Sequence, residues 1–283
     1  MNGSPSPAER GRVGVGASAA LPTGYTATVK IATFNAASVR ARLPILLDWL
    51  ATNEPDVLGI QETKVEDAKF PREEFEELGY HVAVNGQKSW NGVCLLTREP
   101  AEDVAKGLGD PLLPEDARLI AATVAGVRVV NTYVPNGTSV GSDKWVYKLR
   151  WMERFAAVLA AERAKGLPLV WIGDVNVAPT PLDVYDSPRL KGGVGHHPEE
   201  FVRLERIVGD LVDCYRRLHP NEPGYTFWDF TIPNALKRRM GWRIDHVYAT
   251  TDLAERLLSV DVDLDARQAE RPSDHTFVTA TFG

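Results

Sequence analysis

Short apolar runs that finish on a polar side chain recur from residue 29 to the C-terminus, and no other feature constrains the fold as tightly. VKIATFN (29–35) and DVLGIQ (56–61) read as strands, with Leu43, Leu46, Leu47 and Leu50 at helical spacing between them. HVAV, GVCLLT, RLIAATVA and VRVVNTY follow as consecutive strands between residues 81 and 133. Leu149, Met152, Phe155, Ala156 and Leu159 mark a long amphipathic helix, and PLVWIGD is again a strand. PEEFVRLERIV (198–208) reads as a helix opened by Pro198 with acids in its first turn, and RIDHVYAT and TFVTATF close the chain as strands. Strands and helices shared along the whole length predict two stacked sheets covered by helices, in one domain over residues 28–283. Residues 1–27, rich in Gly, Ser, Pro and Ala, are expected to form a flexible tail.

Composition excludes little. The 283 residues suffice for a large core, no apolar run is long enough to span a bilayer, and the N-terminal stretch lacks the apolar block of a secretory signal. Cys94 and Cys214 both sit in apolar runs and read as small core residues, which fits a reducing, cytoplasmic setting. The net charge of −6 argues weakly against a nucleic-acid partner, yet basic residues cluster in Lys237–Arg243 and along Asp143–Arg150. An acidic chain can keep such a basic face if its carboxylates are concentrated around a metal.

The polar groups at the strand ends carry the functional argument. They are Asn35; Glu62 in QETK; Tyr133 and Asn136 in NTYVPNG; Asp174 and Asn176 in GDVN; Asp245 in RIDH; and Asp274 and His275 in RPSDH. Singly, each would be an Asx-turn or a cap. Together they are oxygen-rich and free of thiolate, the ligand chemistry of a hard cation such as magnesium or manganese (Mg²⁺ or Mn²⁺). One His, one Tyr and several carboxylates suit metal-assisted phosphoryl hydrolysis. In an extended chain, Asp174 and Asn176 would point to the same side.

On these residues the chain resembles the exonuclease III family of apurinic/apyrimidinic endonucleases, within the wider endonuclease/exonuclease/phosphatase superfamily. The matching segments are FNAASVRARL, PDVLGIQETK, GQKSWNGVCLLT, NTYVPNG, IGDVNVAPTPLDV, YTFWDF, GWRIDHVYA and RPSDHTF, in family order. The resemblance implies a four-layered α/β sandwich, two packed mixed β-sheets flanked by helices. It makes Glu62 the principal metal carboxylate, supported by Asn35, with Asp274, Asp174, Asn176 and His275 as the other metal-contacting candidates. Asp174 would activate the attacking water or shuttle a proton to the leaving oxygen, and Asn176 would orient it. His275 would donate to a phosphate oxygen with its ring held by Asp245, Tyr133 would stabilise charge, and Asn136 would contact phosphate. Phe227, Trp242 and Ile244 would wall a pocket for a flipped-out, base-free deoxyribose. Of Phe227 and Trp228, one is expected in the core and one in the site. Arg243, with Arg238, Arg239, Lys148 and Arg150, would position the DNA backbone.

The implied activity is hydrolysis of the phosphodiester 5′ of abasic sites in duplex DNA by a monomeric, metal-dependent repair nuclease. Exonuclease and 3′-phosphodiesterase activities would accompany it. A uridine- or lesion-directed endonuclease, a phosphatase of the superfamily and a DNA-binding relative with a decayed site are the competing readings. One departure stands out: Ala37 occupies a position where many relatives carry Asn or Asp, which bears on metal affinity rather than on the main mechanism.

Overall fold

In the computed structural model, which describes residues 28–283 together with Met1, alternation along each strand decides which layer a side chain joins. The expected tail otherwise lies outside the described residues. Strand β1 (Val29–Asn35) sends Ile31 into the space between two sheets, while Ala32 and Phe34 pack on the opposite face against helix α1 (Leu43–Asn53).

The remaining strands are β2 (Val57–Gln61), β3 (His81–Asn85), β4 (Val93–Thr97), β5 (Glu102–Lys106), β6 (Leu119–Val124), β7 (Val127–Tyr133), β8 (Leu169–Asp174), β9 (Val212–Asp213), β10 (Asp245–Ala249), β11 (Leu257–Asp263) and β12 (Phe277–Phe282). They form two six-stranded sheets, β11-β12-β1-β2-β4-β3 and β5-β6-β7-β8-β10-β9. Each sheet has one parallel pair at its centre, β1 with β2 and β7 with β8, and is otherwise antiparallel. The helices are α1, α2 (Arg72–Glu76), α3 (Asp143–Arg163), α4 (Ser187–Leu190), α5 (Pro198–Val208), α6 (Cys214–Leu218) and α7 (Thr251–Ala254).

Three apolar layers follow. Ile31, Val57 and Leu95 meet Val129, Val170 and Ile172 between the sheets. Leu46, Trp49 and Leu50 of α1 cover the outside of the first sheet, stacking Trp49 on Phe277. Trp151, Phe155 and Leu159 of α3, with Leu204 and Ile207 of α5, cover the outside of the second. The expected two-sheet sandwich is therefore present. Strand β5, EDVAK, escaped the sequence reading because it is a polar edge strand with an irregular register against β6, so its pattern is not the alternation of a half-buried strand. Among the described residues, no helix is long and apolar enough to cross a membrane.

A polar pin joins the sheets through the otherwise apolar middle layer. Gln61 at the end of β2 donates to Asn131 of β7 at 2.6 Å and to Thr33 of β1 at 2.8 Å. Asn131 in turn donates to the carbonyls of Ile60 and Cys94. Buried amide N–H groups that find acceptors across an interface favour one registration of the two sheets.

Candidate active site

The strand ends converge. Glu62, Tyr133, Asn136, Asp174, Asn176, Asp274 and His275 line one cleft of about 430 Å³, with Phe227, Trp242 and Ile244 on its apolar side. Asn35 and Asp245 are buried immediately behind these groups. Parallel strands deliver Asn35, Glu62, Tyr133 and Asp174 from their C-terminal ends, where α/β folds place their ligands.

Asp174 is the best-held carboxylate. Asn35 bridges it to Glu62, donating from Nδ2 to Asp174 Oδ2 at 2.8 Å and to Glu62 Oε1 at 2.9 Å. The other Asp174 oxygen accepts the backbone N–H of Asn176 at 3.0 Å. Asn176 itself has φ 53°, so the pair is an Asx-turn rather than two residues of an extended strand. Their proximity was foreseen; the geometry that produces it was not. Gly173 makes the approach possible, since a Cβ there would fall 2.0 Å from the Thr132 carbonyl oxygen. Burial drives the Asp174 pKa upward, aided by the Asp245 and Glu62 charges and opposed by His275 and the Asn35 hydrogen bond.

His275 lies across from it, with Nε2 3.7 Å from Asp174 Oδ2. Its Nδ1 donates to Asp245 Oδ2 at 2.8 Å, and Thr226 donates to that same oxygen at 2.6 Å. Burial alone would lower the His275 pKa, but Asp245 and Asp174 outweigh it and raise the ring to about 10. At neutral pH it is an imidazolium with both nitrogens protonated. With both nitrogens protonated, the ring presents Nε2–H toward Asp174 as a donor. Asp174, Asp245 and His275 bring ligand atoms within 4.8 Å of one another, a grouping that could hold a metal ion.

Glu62 and Asp274 add two further carboxylates, both partly exposed on the cleft. Lys64 sits 2.8 Å from Glu62. Against the rise that burial alone would bring, the Lys64 and Asn35 hydrogen bonds hold the Glu62 pKa below the ordinary glutamate value. Ionised carboxylate oxygens beside an amide fit a hard divalent ion. Asn35 acts mainly through its N–H groups, while its Oδ1 accepts from the Ala37 backbone at 2.9 Å. Asn176 donates to Val134 O and accepts from Asn136, so it is an organising amide more than a ligand. The Tyr133 hydroxyl is kept neutral, its pKa raised well above the usual value first by burial and then by Glu62 and Asp174. Arg118 stacks on the Tyr133 ring at 4.7 Å.

The apolar wall is built by an isolated bridge between Phe227 and Trp242, with Phe227 also bridged to His275. Phe227 faces the cleft and Trp228 is in the core, so one aromatic of this pair belongs to each, as expected.

This architecture agrees with the comparisons. Residues 32–275 match the model of the endonuclease/exonuclease/phosphatase family. The chain belongs to that family. Within it, the chain is 34% identical over 268 residues to exodeoxyribonuclease III of Haemophilus influenzae, covering 90% of this chain and 100% of that protein. An AP endonuclease structure from Archaeoglobus fulgidus superposes with a TM-score of 0.86 at 44% identity, covering 90% of this chain and 99% of that one. A Neisseria structure described as the 3′ phosphatase NExo bound to a product DNA hairpin gives 0.87 at 38%, with the same coverage. The four-layered sandwich inferred from the motifs is that of these endonuclease/exonuclease/phosphatase structures.

Two expected DNA contacts are misplaced. Arg243 is buried, donating to Asp183 at 2.6 Å and to both oxygens of Asp213. A guanidinium enclosed by two carboxylates cannot meet phosphate. It ties the segment before β10, which carries Trp242 and Ile244, to the loop after β8 and to β9. Lys148 is also fully buried, on α3. Arg150 and Arg238 are exposed, as a backbone-positioning role requires. The sequence reading missed Thr226, whose hydroxyl fixes Asp245, and Tyr185, Leu190 and Val194, which complete the cleft wall. No motif of their own marked them.

The Arg243 network has a measurable signature. Burial would raise the Asp183 carboxyl, but Arg243 overrides it and holds the pKa at about 2, from an ordinary 3.8. The depressed carboxyl contributes stability that is complete above pH 4 and lost as pH falls toward 2, worth about 2 kcal/mol. Asp183→Asn should therefore be less stable than the parent at pH 7, with the gap narrowing by about that amount by pH 2 in urea-unfolding titrations. A pH-independent gap would remove the ion pair from the stability argument.

Proposed function

We propose that this family member is a divalent-metal-dependent DNA-repair nuclease that hydrolyses the phosphodiester 5′ of abasic sites in duplex DNA. It would act as a monomer, with 3′→5′ exonuclease and 3′-phosphodiesterase activities on the same site. The observation that carries the reading is the pairing, within one cleft, of a base facing a cation, Asp174 and His275, with an apolar wall of Phe227, Trp242 and Ile244. The relatives' names point the same way: exodeoxyribonuclease III, AP endonuclease, and a 3′ phosphatase held on DNA. A lipid or inositol phosphatase would have less use for an aromatic wall sized to a flat sugar.

In this reading the phosphate docks from the cleft against the adjacent Asp174 and His275. Asp174, its pKa raised, takes a proton from the attacking water, whose oxygen bonds to phosphorus as the bond to the sugar 3′-oxygen breaks, and that oxygen takes up a proton from solvent water to become the hydroxyl. The imidazolium of His275 and the neutral Tyr133 hydroxyl donate to phosphate oxygens where negative charge grows. Glu62 and Asp274, steadied by Asn35, would hold Mg²⁺ or Mn²⁺, which supplies charge neutralisation to the phosphoryl group. A product sugar ending in a 3′-hydroxyl can prime repair synthesis.

The test is an end-labelled duplex carrying one abasic analogue, incubated with Mg²⁺ or with EDTA. One internal nick that EDTA abolishes is expected. A ladder from the 3′ end with no nick would make exonuclease the principal activity. Selectivity has its own readout: Phe227→Ala or Trp242→Ala should cut abasic nicking more than about tenfold while removal of undamaged 3′ nucleotides falls less. An unchanged ratio of the two activities would move selectivity to other loops.

A further inference from the structure

We propose that the buried ion pair Lys148–Glu200 is a positioning device that sets Asn136 and Asn176 against the phosphate, an inference that rests on the function proposed above. The three Lys148 ammonium protons are all committed, none of them to DNA. Nζ donates to the Asn176 carbonyl at 2.7 Å, to the Asn136 carbonyl at 3.2 Å, and to Glu200 Oε1. Glu200, also fully buried, accepts the backbone N–H of Gly195 and of His197, each at 3.1 Å.

One ion pair, spanning α3 and α5, thus fastens three loops by their backbones. The loop after β7 carries Asn136, the turn after β8 carries Asn176, and residues 193–197 bring Val194 and Gly195 to the cleft wall. The two side-chain amides are joined in turn, Asn136 Nδ2 donating to Asn176 Oδ1 at 3.0 Å. Gly137, with φ 94°, lets its loop close on the ammonium, since a Cβ there would sit 3.1 Å from Lys148 Cδ. A buried pair of charges is an expensive way to pack two helices, which apolar side chains of similar volume would do at least as well. Its distinguishing property is direction: an ammonium grips two carbonyls at fixed angles, and an apolar contact grips neither.

The experiment exploits that difference. In Lys148→Met/Glu200→Leu both charges leave together, so the apolar pair can replace the packing without stranding either ion. The expected result is a folded protein whose unfolding temperature falls by a few degrees as four backbone groups lose their partners, single-turnover cleavage of the abasic duplex reduced about thirtyfold or more, and duplex affinity in EDTA changed less than about threefold. Amide hydrogen exchange over residues 136–138, 175–178 and 193–197 should quicken about tenfold while β7 and β8 stay protected. Wild-type cleavage together with wild-type exchange in those loops would overturn the proposal. If the wild-type protein fails to cut the duplex, the loss falls on the proposed function, and the exchange measurement still decides the role of the pair. Should the double variant not fold, Lys148→Met/Glu200→Gln, which removes both charges and the grip on the two carbonyls but keeps an acceptor for the Gly195 or His197 N–H, is read in the same assays. Loop exchange at the wild-type rate there would equally overturn it.

Discussion

Asp174→Asn is expected to lower single-turnover phosphodiester cleavage by about 10³–10⁴-fold with no loss of fold. The substitution preserves shape. The backbone N–H of Asn176 can still donate to the side-chain oxygen, and the new amide removes a negative charge from a buried place already crowded by Glu62 and Asp245. Relief of that crowding offsets the loss of the Asn35 hydrogen bond, whose donor would now face an NH2 group, so the variant should stay folded with stability within about 2 kcal/mol of the parent. What disappears is the proton acceptor. Because burial holds the Asp174 pKa above the ordinary carboxylate range, the wild-type rate should climb with pH while that carboxyl loses its proton, and the variant's residual rate should lack this limb. A pH–rate profile of the two proteins decides the matter. A variant within tenfold of wild type would assign proton abstraction to another group.

His275→Ala should cost about 10²–10³-fold, the scale of losing one donor to a developing oxyanion, while tight binding of the uncut duplex survives. Asp245→Asn should cost nearly as much, although Asp245 meets no substrate. Its carboxylate, fixed by Thr226, is the largest influence raising the His275 pKa against burial. Without that charge the ring, enclosed and away from water, becomes neutral near pH 7 and loses a donor. The sign can be checked: the Asp245→Asn defect should shrink as pH is lowered and the ring regains its proton, whereas the His275→Ala defect should not. Parallel profiles for the two variants would separate Asp245 from the histidine's charge.

The sequence made the layers legible because alternation in β1, β8 and β12 and the helical spacing of Leu43–Leu50 are local signals that tertiary contacts reinforced. The site was legible because polar groups at strand ends of one sandwich must share an edge. Roles were harder. Nothing in RRMGWRID distinguishes an arginine facing solvent from one enclosed by Asp183 and Asp213, because the partners lie 60 and 30 residues away. Lys148 was misread for the same reason: its partner Glu200 belongs to another helix. Thr226 and Ser273, which fix Asp245 and the loop around His275, look like ordinary strand-end hydroxyls until the contacts are seen.

The polar pin between the sheets bears on how this protein can fail. Asn35, Glu62 and His275 hang from the first sheet, whereas Tyr133, Asp174 and Asp245 hang from the second, so the Asn35–Asp174 and His275–Asp245 bonds both cross a seam. Neither half owns both a base and the groups that set its strength. A slide of one sheet by a fraction of a strand repeat would part the base from its tether and the imidazolium from its counter-charge, with both sheets still intact. Gln61 and Asn131 oppose that slide like a dowel through two boards. Catalytic competence is therefore a gauge of alignment rather than of folding, and heat or denaturant should extinguish it before either sheet begins to unravel.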